Sequence, residues 1–431
     1  MQNLHQHRHF ETPKGCCRVL LAVSVASMID QFNMSNLRLL QEMGIEVHVA
    51  CNFRQGNTCS RRRILHLLHK LRDMQVVCHS WDCPRNAHDL MGCARAYIQM
   101  CRLLRRYSFA WMHCQSPIGG VLARLAAHRR KIPVAYTVHG FHFYKGAPIK
   151  NWLLYYPVEK LLSYWTDILV TVNREDDQFA RQNLKAERIC RIPGVGIDIE
   201  RFAVHTIKAS DRKKESWFCE AYHIPEHALV LLSVGELNTG KNHSMVIRAL
   251  SALGREDVYY LICGQGKLRD RLEQEANALG VGEYVRMPGY QEDMPQIYRN
   301  ADIFVFPSIR EGLPVSLMEA MAASLPCVVS DIRGNRELVG SLSANSSIKR
   351  QQAASCFRLM PGGAVFDLND PCQLEAALEL LLREKRMRMD CGAYNQRKIC
   401  KYSQNEVERR MRRIYAQMHE NYGRMDPLEE E

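Results

Sequence analysis

The sequence predicts an α/β protein of two domains, each a doubly wound parallel sheet covered by helices. Three observations lead to this fold class. The 431 residues are too many for one ordinary domain and suit two domains of about 200 residues each. Short apolar runs alternate with segments of helical spacing, which is the pattern of strand–helix–strand units. This alternation stops after residue 192 and starts again at residue 229.

The chain begins with a polar, His-rich segment, 1–17, which we expect to be disordered. The domain that follows is expected to span 18–200. Its strands are short runs of apolar and β-branched residues, and its helices place apolar residues three and four positions apart. The predicted strands are 18–24, 46–51, 109–113, 134–138, 167–172 and 189–192, and the predicted helices are 32–43, 119–127, 152–164 and 174–182.

The second domain is expected to span 201–400, after a Pro- and Gly-rich segment at 193–196 that breaks the pattern. The polar stretch 341–355 is predicted to be an exposed loop. A closing helix and an acidic tail, 426–431, are expected within 401–431. The predicted strands are 229–234, 258–263, 284–287, 302–306 and 327–330, and the predicted helices are 244–253, 268–279, 293–298, 314–323, 374–386 and 406–419.

The composition excludes several classes of protein. Hydrophobic residues make up 46% and charged residues 24% of the chain, which excludes a disordered protein. The longest apolar stretch, 19–29, is too short to span a bilayer, which takes about 20 residues, and no clear secretion cleavage site follows it. The 17 cysteines are odd in number and lack any Cys-x-x-Cys spacing, so we expect reduced thiols in a cytoplasmic protein.

Positive charge is concentrated in the first half of the chain. Residues 1–200 contain 27 Lys and Arg against 15 Asp and Glu, a net charge of +12, whereas 201–431 contain 31 of each. A basic half indicates an anionic partner. The segment 61–72 has an apolar face with basic flanks, which is typical of a helix on an anionic membrane; a core-facing helix with a solvated basic side is the alternative. No nucleic-acid-binding module is recognisable, so no nucleic-acid partner is expected.

The turn after the strand 229–234 is suited to a phosphate group. Gly235, Gly240, Lys241 and Asn242 precede a helix there, and amide groups at a helix start bind anions together with a lysine. The spacing nearly matches the P-loop of nucleotide triphosphatases, but Asn242 occupies the position where that motif needs a hydroxyl for Mg²⁺. An ordinary strand–helix turn with a surface lysine is the alternative.

The loop after the strand 302–306 carries two glutamates. Glu311 lies in the loop, Pro314 opens the next helix, and Glu319 follows inside that helix. Gly312 and Leu313 add backbone N–H groups at the positive end of the helix. Two carboxylates at this spacing can accept hydrogen bonds from different hydroxyls of one sugar-containing ligand. Taken alone, two glutamates at this spacing also occur by chance.

Six segments between residues 18 and 385 resemble the retaining glycosyltransferases of family 4, which have the two-domain GT-B fold. The strongest is 310–322, which contains the Glu-x7-Glu motif of that family in its full context. The others, in family order, are 138–141, 193–202, 233–242, 264–266 and 331–338. The segments 138–146 and 235–242 are most similar to bacterial transferases of exopolysaccharide and capsule synthesis. The resemblance implies two Rossmann-like domains that face a cleft.

The resemblance also implies roles for individual residues. Lys241 would bind the donor diphosphate, Glu311 would bind hydroxyls of the donor sugar near the reacting carbon, and His139 would face the cleft beside the sugar. These three form the implied catalytic group, and Glu319 would bind the ribose hydroxyls. The implied donor-binding residues are Gly235, Lys241, Asn242, Arg286, Met287, Arg310, Glu311, Gly312, Leu313, Pro314 and Glu319, with Arg286 and Met287 near the base.

The chain departs from the family pattern at two places. Many members carry an arginine directly after the glycine at position 235, where this chain has Glu236. We expect Glu236 to point away from the diphosphate and Arg310 or helix-end amides to assist Lys241. The first strand–helix turn, 24–31, lacks a glycine pair found in many members, which puts the acceptor side in question. A structural or exposed role is the alternative for His139.

The expected function is the transfer of a sugar, with retention, from a nucleotide sugar to a lipid-linked or glycan acceptor in extracellular or capsular polysaccharide synthesis. UDP is the expected nucleotide, and a polyprenyl-diphosphate-linked sugar is the expected acceptor. The resemblance implies no cofactor and no metal, and a cytoplasmic protein in peripheral contact with the inner face of the membrane. A hydrolysing nucleotide-sugar epimerase and a noncatalytic sugar-nucleotide-binding protein are the alternatives. A dinucleotide oxidoreductase is disfavoured because neither 194–196 nor 264–266 completes Gly-x-Gly-x-x-Gly.

Overall fold

The computed structural model describes residues 17–55, 60–86, 88–144, 146–203, 214–340 and 356–423. The loop predicted at 341–355, the acidic tail at 426–431 and, apart from Cys17, the disordered tail at 1–17 lie outside the described residues. The chain forms two compact units, divided between Ile192 and Pro193. The first unit also takes in the chain from Glu408 onward, and the second also takes in Asn173–Glu175.

The first unit is built on a seven-stranded sheet in the order β3-β2-β1-β4-β5-β6-β7, in which every pairing is parallel. The strands are β1 (Arg18–Val25), β2 (Glu46–Asn52), β3 (Val77–Ser80), β4 (Trp111–Gln115), β5 (Val134–Val138), β6 (Ile168–Thr171) and β7 (Arg188–Arg191). The helices are α1 (Ala26–Phe32), α2 (Met34–Glu42), α3 (Arg61–Asp73), α4 (Leu90–Arg106), α5 (Pro117–Arg129), α6 (Ile149–Ser163) and α7 (Arg174–Asn183). The strand order reverses at β1, and ligands of such sheets bind at the carboxyl ends of the strands beside that point.

The second unit contains a second seven-stranded sheet, in the order β10-β9-β8-β11-β12-β14-β13, which is parallel except for the edge strand β13. The strands are β8 (Leu229–Val234), β9 (Val258–Cys263), β10 (Val285–Gly289), β11 (Ile303–Phe306), β12 (Cys327–Ser330), β13 (Arg358–Met360) and β14 (Gly363–Phe366). The helices are α8 (Ile199–Phe202), α9 (Ser216–Tyr222), α10 (His243–Leu253), α11 (Arg269–Ala278), α12 (Met294–Asn300), α13 (Val315–Ala322), α14 (Arg333–Val339), α15 (Pro371–Arg383) and α16 (Lys385–Ile399). The predicted doubly wound parallel sheet is therefore present in both units.

The last helix, α17 (Gln404–Tyr422), is shared between the units. From Glu408 onward it belongs to the first unit, where Tyr415 and Met418 are fully buried. The Tyr415 hydroxyl lies 2.9 Å from Nδ1 of His113 in β4. The sequence predicts a closing helix at 406–419, and these contacts show that its second part packs on the first sheet.

Helix α3 turns its apolar side inward. Ile64, Leu67 and Leu71 are buried, and the Arg63 guanidinium pairs with Asp30 of α1. The apolar face predicted as a candidate for contact with lipid therefore packs in the core of the first unit. The alternative, a core-facing helix with a solvated basic side, describes α3 correctly.

The described residues contain no helix that is both long enough and apolar enough to cross a membrane. No disulfide joins any of the cysteines in these ranges, and the strand residues Cys51, Cys114, Cys263 and Cys327 are buried thiols.

Candidate functional site

Two loops of the second unit meet at the carboxyl ends of its central strands. Because β8 and β11 are neighbours in the sheet, the loop that follows β8 lies beside the loop that follows β11. The Ile309 N–H donates to the carbonyl oxygen of Gly240 (2.8 Å). The Lys241 ammonium lies 2.6 Å from a carboxylate oxygen of Glu311. Two residues that are 70 positions apart thus form one charged pair.

Local hydrogen bonds hold Lys241 in this position. Its backbone N–H donates to the side-chain oxygen of Asn238 (3.1 Å), and Asn242 adopts a left-handed conformation directly before α10. The lysine side chain runs back over Gly235, where an added Cβ would lie 3.0 Å from Lys241 Cε. Its ammonium also lies 4.8 Å from the ring centre of Phe306, a distance that suits a cation–π interaction. Gly235, Lys241 and Asn242 therefore lie together in the turn between β8 and α10, and their contact with a diphosphate stays a prediction.

The segment from Glu311 to Pro314 is fixed against helix α14. The Arg333 side chain donates to the Glu311 carbonyl oxygen (3.4 Å). Gly334 approaches so closely that an added Cβ would lie 2.1 Å from the Gly312 carbonyl oxygen, so glycine is required there. Helix α13 begins at Val315, one residue later than predicted, and Pro314 is its N-cap residue. Glu311 and Gly312 are neither fully buried nor exposed, so part of their polar surface is accessible.

Glu319 lies within α13 and is held by a buried tyrosine. The Tyr298 hydroxyl lies 2.8 Å from a carboxylate oxygen of Glu319 and 3.0 Å from the Ser316 carbonyl oxygen. Burial raises the pKa of Glu319 to about 7, against the lowering effects of the Tyr298 hydrogen bond and of the Arg201 charge. A carboxylate in this state is a strong acceptor for ligand hydroxyls once its proton has left.

The remaining predicted residues differ in their surroundings. Arg310 and Glu236 are exposed, so neither side chain packs in the interior of the second unit. Met287 is part of the hydrophobic core. The Arg286 guanidinium donates to the carbonyl oxygens of Tyr222 and His223. The structure therefore does not bring Arg286 and Met287 to the Lys241–Glu311 pair, and their contact with a base stays a prediction.

His139 belongs to the first unit, directly after β5. Its Nε2 lies 2.8 Å from Oε1 of Gln115, the last residue of β4. The Gln115 amide group in turn donates to Asn33 (2.6 Å), which orients its oxygen toward His139. Burial lowers the pKa of His139 to about 4, so the ring is neutral near pH 7 and carries its proton on Nε2.

Gln115 and Asn33 were not predicted as site residues. The available signal was the position of Gln115 at the carboxyl end of β4, beside the point where the strand order reverses. The Ser24 and Ser116 hydroxyls, 2.5 Å apart, lie at the same ends of β1 and β4. This edge of the first sheet is therefore polar.

Family models match both halves of the chain. A model described as "Glycosyl transferase 4-like domain" matches residues 31–194, and one described as "Glycosyl transferases group 1" matches 218–398. EpsD of Bacillus subtilis, a protein named as a glycosyltransferase, is 34% identical over 75% of this chain and 81% of its own length. A galactosyltransferase of Escherichia coli named for UDP-Gal and α-D-GlcNAc-diphosphoundecaprenol is 29% identical over 57% of this chain and 64% of its own length.

The fold also has a counterpart among solved structures. Anabaena HepE, solved with UDP and glucose, superposes with a TM-score of 0.70 over 93% of this chain and 100% of its own, at 13% sequence identity. That likeness concerns the fold. The 34% identity to EpsD and the two matching models show that this chain belongs to the family 4 glycosyltransferases, which have the GT-B fold.

Proposed function

We propose that this glycosyltransferase moves a sugar from a UDP-sugar to a polyprenyl-diphosphate-linked glycan, with retention at the anomeric carbon, during the synthesis of an extracellular or capsular polysaccharide. The E. coli relative named above acts on UDP-Gal and a diphosphoundecaprenol-linked sugar by its name, which supports both substrate classes. The similarity to EpsD supports the same broad activity.

The observation that carries the proposal is the Lys241–Glu311 pair. A cation and a carboxylate that are 2.6 Å apart can bind a phosphate and an adjacent sugar at the same time. Glu319 lies in the helix that starts beside Glu311 and supplies an acceptor for ribose hydroxyls. Lys241, Glu311 and Glu319 therefore match three of the four chemical parts of a nucleotide sugar: diphosphate, sugar and ribose, respectively.

The proposed reaction breaks the bond between the anomeric carbon and the diphosphate oxygen. The acceptor hydroxyl forms the new bond on the same face, and its proton passes to the departing phosphate oxygen. Lys241 and the backbone N–H groups before Val315 stabilise the negative charge that grows on that oxygen. Loss of one such aimed donor typically costs about 3–4 kcal/mol of barrier. Glu311 binds the hydroxyls of the sugar and orients it for this attack.

We further propose that the reaction needs no metal ion or other cofactor, since Lys241 supplies a positive charge for the diphosphate. Addition of EDTA should then leave both UDP affinity and turnover unchanged. Loss of turnover with EDTA, and its recovery with Mg²⁺ or Mn²⁺, would show that a metal shares the charge of the leaving group.

The proposed acceptor also suggests a location. A polyprenyl diphosphate is held in a membrane, and the basic first half of the chain suits an anionic lipid surface. We place the enzyme in the cytoplasm, in peripheral contact with the inner face of the membrane. After cell fractionation, we expect the enzyme to sediment with the membranes and to be released from them by high salt.

The proposal is tested first by a metal-free calorimetric titration with UDP, GDP and ADP. We expect selective UDP binding that weakens in Lys241→Ala and is unchanged in Lys401→Ala, a control at an exposed lysine. Absence of binding by all three nucleotides would remove the support for the donor site.

A turnover assay then separates the alternatives. UDP-sugars are offered with and without an undecaprenyl-diphosphate-linked acceptor. Product that appears only with acceptor supports the transferase. Release of UDP and free sugar at the same rate without acceptor would indicate a hydrolysing epimerase, and binding without turnover of any donor would indicate a noncatalytic protein.

A further inference from the structure

Helix α6 presents a large apolar surface to solvent. Ile149, Leu153, Leu154 and Leu161 expose 78%, 73%, 56% and 54% of their surface, and Val158 exposes 39%. At 100° per residue these positions cover about half of the helix circumference. We call them, together with the exposed Tyr164 that follows the helix, the α6 surface. Five exposed aliphatic side chains on one side of a helix indicate a contact with another apolar phase.

The opposite side of α6 is firmly attached to the first unit. Glu159, the one acidic residue of the helix, is buried and pairs with Arg124 of α5 at 2.9 Å. Leu162 is fully buried, and Trp152 and Tyr156 pack on the core. The helix therefore cannot rotate to hide its exposed side chains, and the orientation of the α6 surface is fixed.

The charges around the α6 surface are mainly positive. Lys150 and Lys160 are exposed on the same side of the helix. His128 stacks on Trp165, with ring centres 3.9 Å apart, which brings the exposed end of α5 close to the end of α6. Arg129 is the last residue of α5, and Arg130 and Lys131 follow it; all three basic residues are exposed.

Further charged groups of both signs lie near this end of α6. The exposed Lys185 adds positive charge, since its backbone N–H bonds to Ser163. The acidic neighbours are Glu187, which follows two residues later, and Asp167, which accepts hydrogen bonds from the Val134 N–H and the Tyr422 hydroxyl. The basic groups outnumber these two acids, so the surroundings favour a negatively charged partner.

We propose that the α6 surface is the membrane-contact site of this enzyme, lying in the interface of an anionic lipid bilayer. Aliphatic side chains would enter the acyl boundary, and Lys150 and Lys160 would extend to the lipid phosphates. Tyr164 at the helix end suits the headgroup region. The inference rests on the proposed membrane-held acceptor and assigns the contact to α6, because α3 buries its own apolar face.

The test is sedimentation of the full chain with vesicles. Vesicles of phosphatidylglycerol and phosphatidylethanolamine are compared with vesicles of phosphatidylcholine alone. We expect binding to the anionic vesicles, and a loss of affinity of about tenfold or more in Leu153→Ser/Leu161→Ser. The matched control is Leu65→Ser/Leu279→Ser, which changes two exposed leucines elsewhere and should bind like the parent.

A charge variant tests the contribution of the two lysines to vesicle binding. Lys150→Glu/Lys160→Glu should weaken binding to anionic vesicles at low salt, and the difference from the parent should shrink at high salt. Unchanged binding of Leu153→Ser/Leu161→Ser would overturn the proposal, as would absence of binding by the parent. Light scattering that shows a parental dimer and a monomeric leucine variant would also overturn it, since the α6 surface would then join two copies of the chain.

UDP titration separates this inference from the proposed function. The UDP site lies in the second unit and α6 lies in the first, so all four proteins should bind UDP equally. If none of them binds UDP, the proposed donor is wrong, while the vesicle result still decides the role of α6.

Discussion

The Lys241 ammonium and the Glu311 carboxylate lie 2.6 Å apart, and each is about four-fifths buried. Without a ligand, each group is the counter-ion of the other. A diphosphate that binds Lys241 therefore competes with Glu311 for the same ammonium, and a sugar that binds Glu311 replaces the hydrogen bond that the ammonium gave. In the proposed function, donor binding would thus replace the Lys241–Glu311 contact by two contacts, one from Lys241 to the diphosphate and one from Glu311 to the sugar.

This exchange gives opposite expectations for binding and turnover in Glu311→Gln. The amide cannot pair with Lys241 as an ion, so the ammonium becomes more available to the diphosphate. We expect UDP to bind at least as tightly as in the parent. Turnover should fall by about 100-fold or more because the sugar loses its charged acceptor. Calorimetry with UDP and initial rates with the preferred UDP-sugar measure the two effects, and a variant that retains most of its turnover would argue against a central role for Glu311.

The raised pKa of Glu319 leads us to expect that the proposed ribose recognition depends on pH. Its pKa of about 7 means that the carboxyl is partly protonated in the free protein near neutral pH. Ribose hydroxyls donate to the ionised form, so UDP affinity should rise as pH increases through about 7. Comparison with 2′,3′-dideoxy-UDP in the same buffers cancels the titration of the phosphate itself. The pH-dependent difference should vanish in Glu319→Gln, and an equal pH response of both nucleotides in the parent would contradict the assignment.

The same group affects stability with a defined sign. Burial raises the pKa of Glu319 above its ordinary value of 4.5, so the folded state holds more protons than the unfolded state between pH 4.5 and about 7. The contribution of Glu319 to the free energy of unfolding therefore decreases as pH rises through this window. Urea unfolding of the parent and of Glu319→Gln should diverge with pH in that direction, and parallel curves would contradict it.

Gln115 is expected to set the protonation state of His139. In the Gln115→Glu variant, a carboxylate would face Nε2, and a nearby negative charge favours the imidazolium form. The pKa of His139 should rise from about 4 toward its ordinary value of 6.5. We expect kcat/KM to fall below about pH 6 in the variant but not in the parent. Gln178→Glu, the same change on an exposed position of α7, is the control, and identical pH profiles for all three proteins would remove Gln115 from this role.

Buried strands were the easiest elements to predict. Val134–Val138, Leu229–Val234, Val258–Cys263 and Cys327–Ser330 have the predicted boundaries because parallel strands buried on both faces are continuous apolar runs between polar residues. Strand β3 was not predicted, since it lies at the sheet edge and is half-exposed, which leaves no apolar run. Helix α16 was also missed because its charged residues weaken the helical pattern.

The amphipathic helices show the limit of this kind of inference. Helix α3 has a clear apolar face in the sequence, and that face is buried in the core. In α6, consecutive residues such as Trp152, Leu153 and Leu154 are apolar on several sides, so the sequence does not tell which side meets the sheet. The choice is made by tertiary contacts, above all by the buried Arg124–Glu159 pair.

For the site, two signals carried the prediction: the positions directly after apolar strands, and the resemblance to the family, which implied the residue roles. Lys241 and Glu311 each follow an apolar strand, and the Glu-x7-Glu motif adds Glu319. The contact between Lys241 and Glu311 depends on which strands are neighbours, and the orientation of His139 depends on an amide group in another strand. Neither relationship is encoded in local spacing.

The Arg124–Glu159 pair leads to a prediction of stability. Arg124 is 1% exposed, its guanidinium lies 3.8 Å from the ring centre of Tyr136, and it donates to the Gly120 carbonyl oxygen. Glu159→Gln leaves this buried cation without its counter-ion, so we expect the first unit to lose about 3–5 kcal/mol of unfolding free energy.

Arg124→Met/Glu159→Met removes both charges at once and should recover most of that loss, because replacing a buried ion pair by packed apolar residues is often neutral. Urea unfolding followed by tryptophan fluorescence measures the effect in the first unit, since Trp81, Trp111, Trp152 and Trp165 lie there and only Trp217 lies in the second. Arg129→Met, at the exposed end of the same helix, is the control and should unfold like the parent. If the double variant were no more stable than Glu159→Gln, the pair would act through the shape of its hydrogen bonds and not through mutual neutralisation.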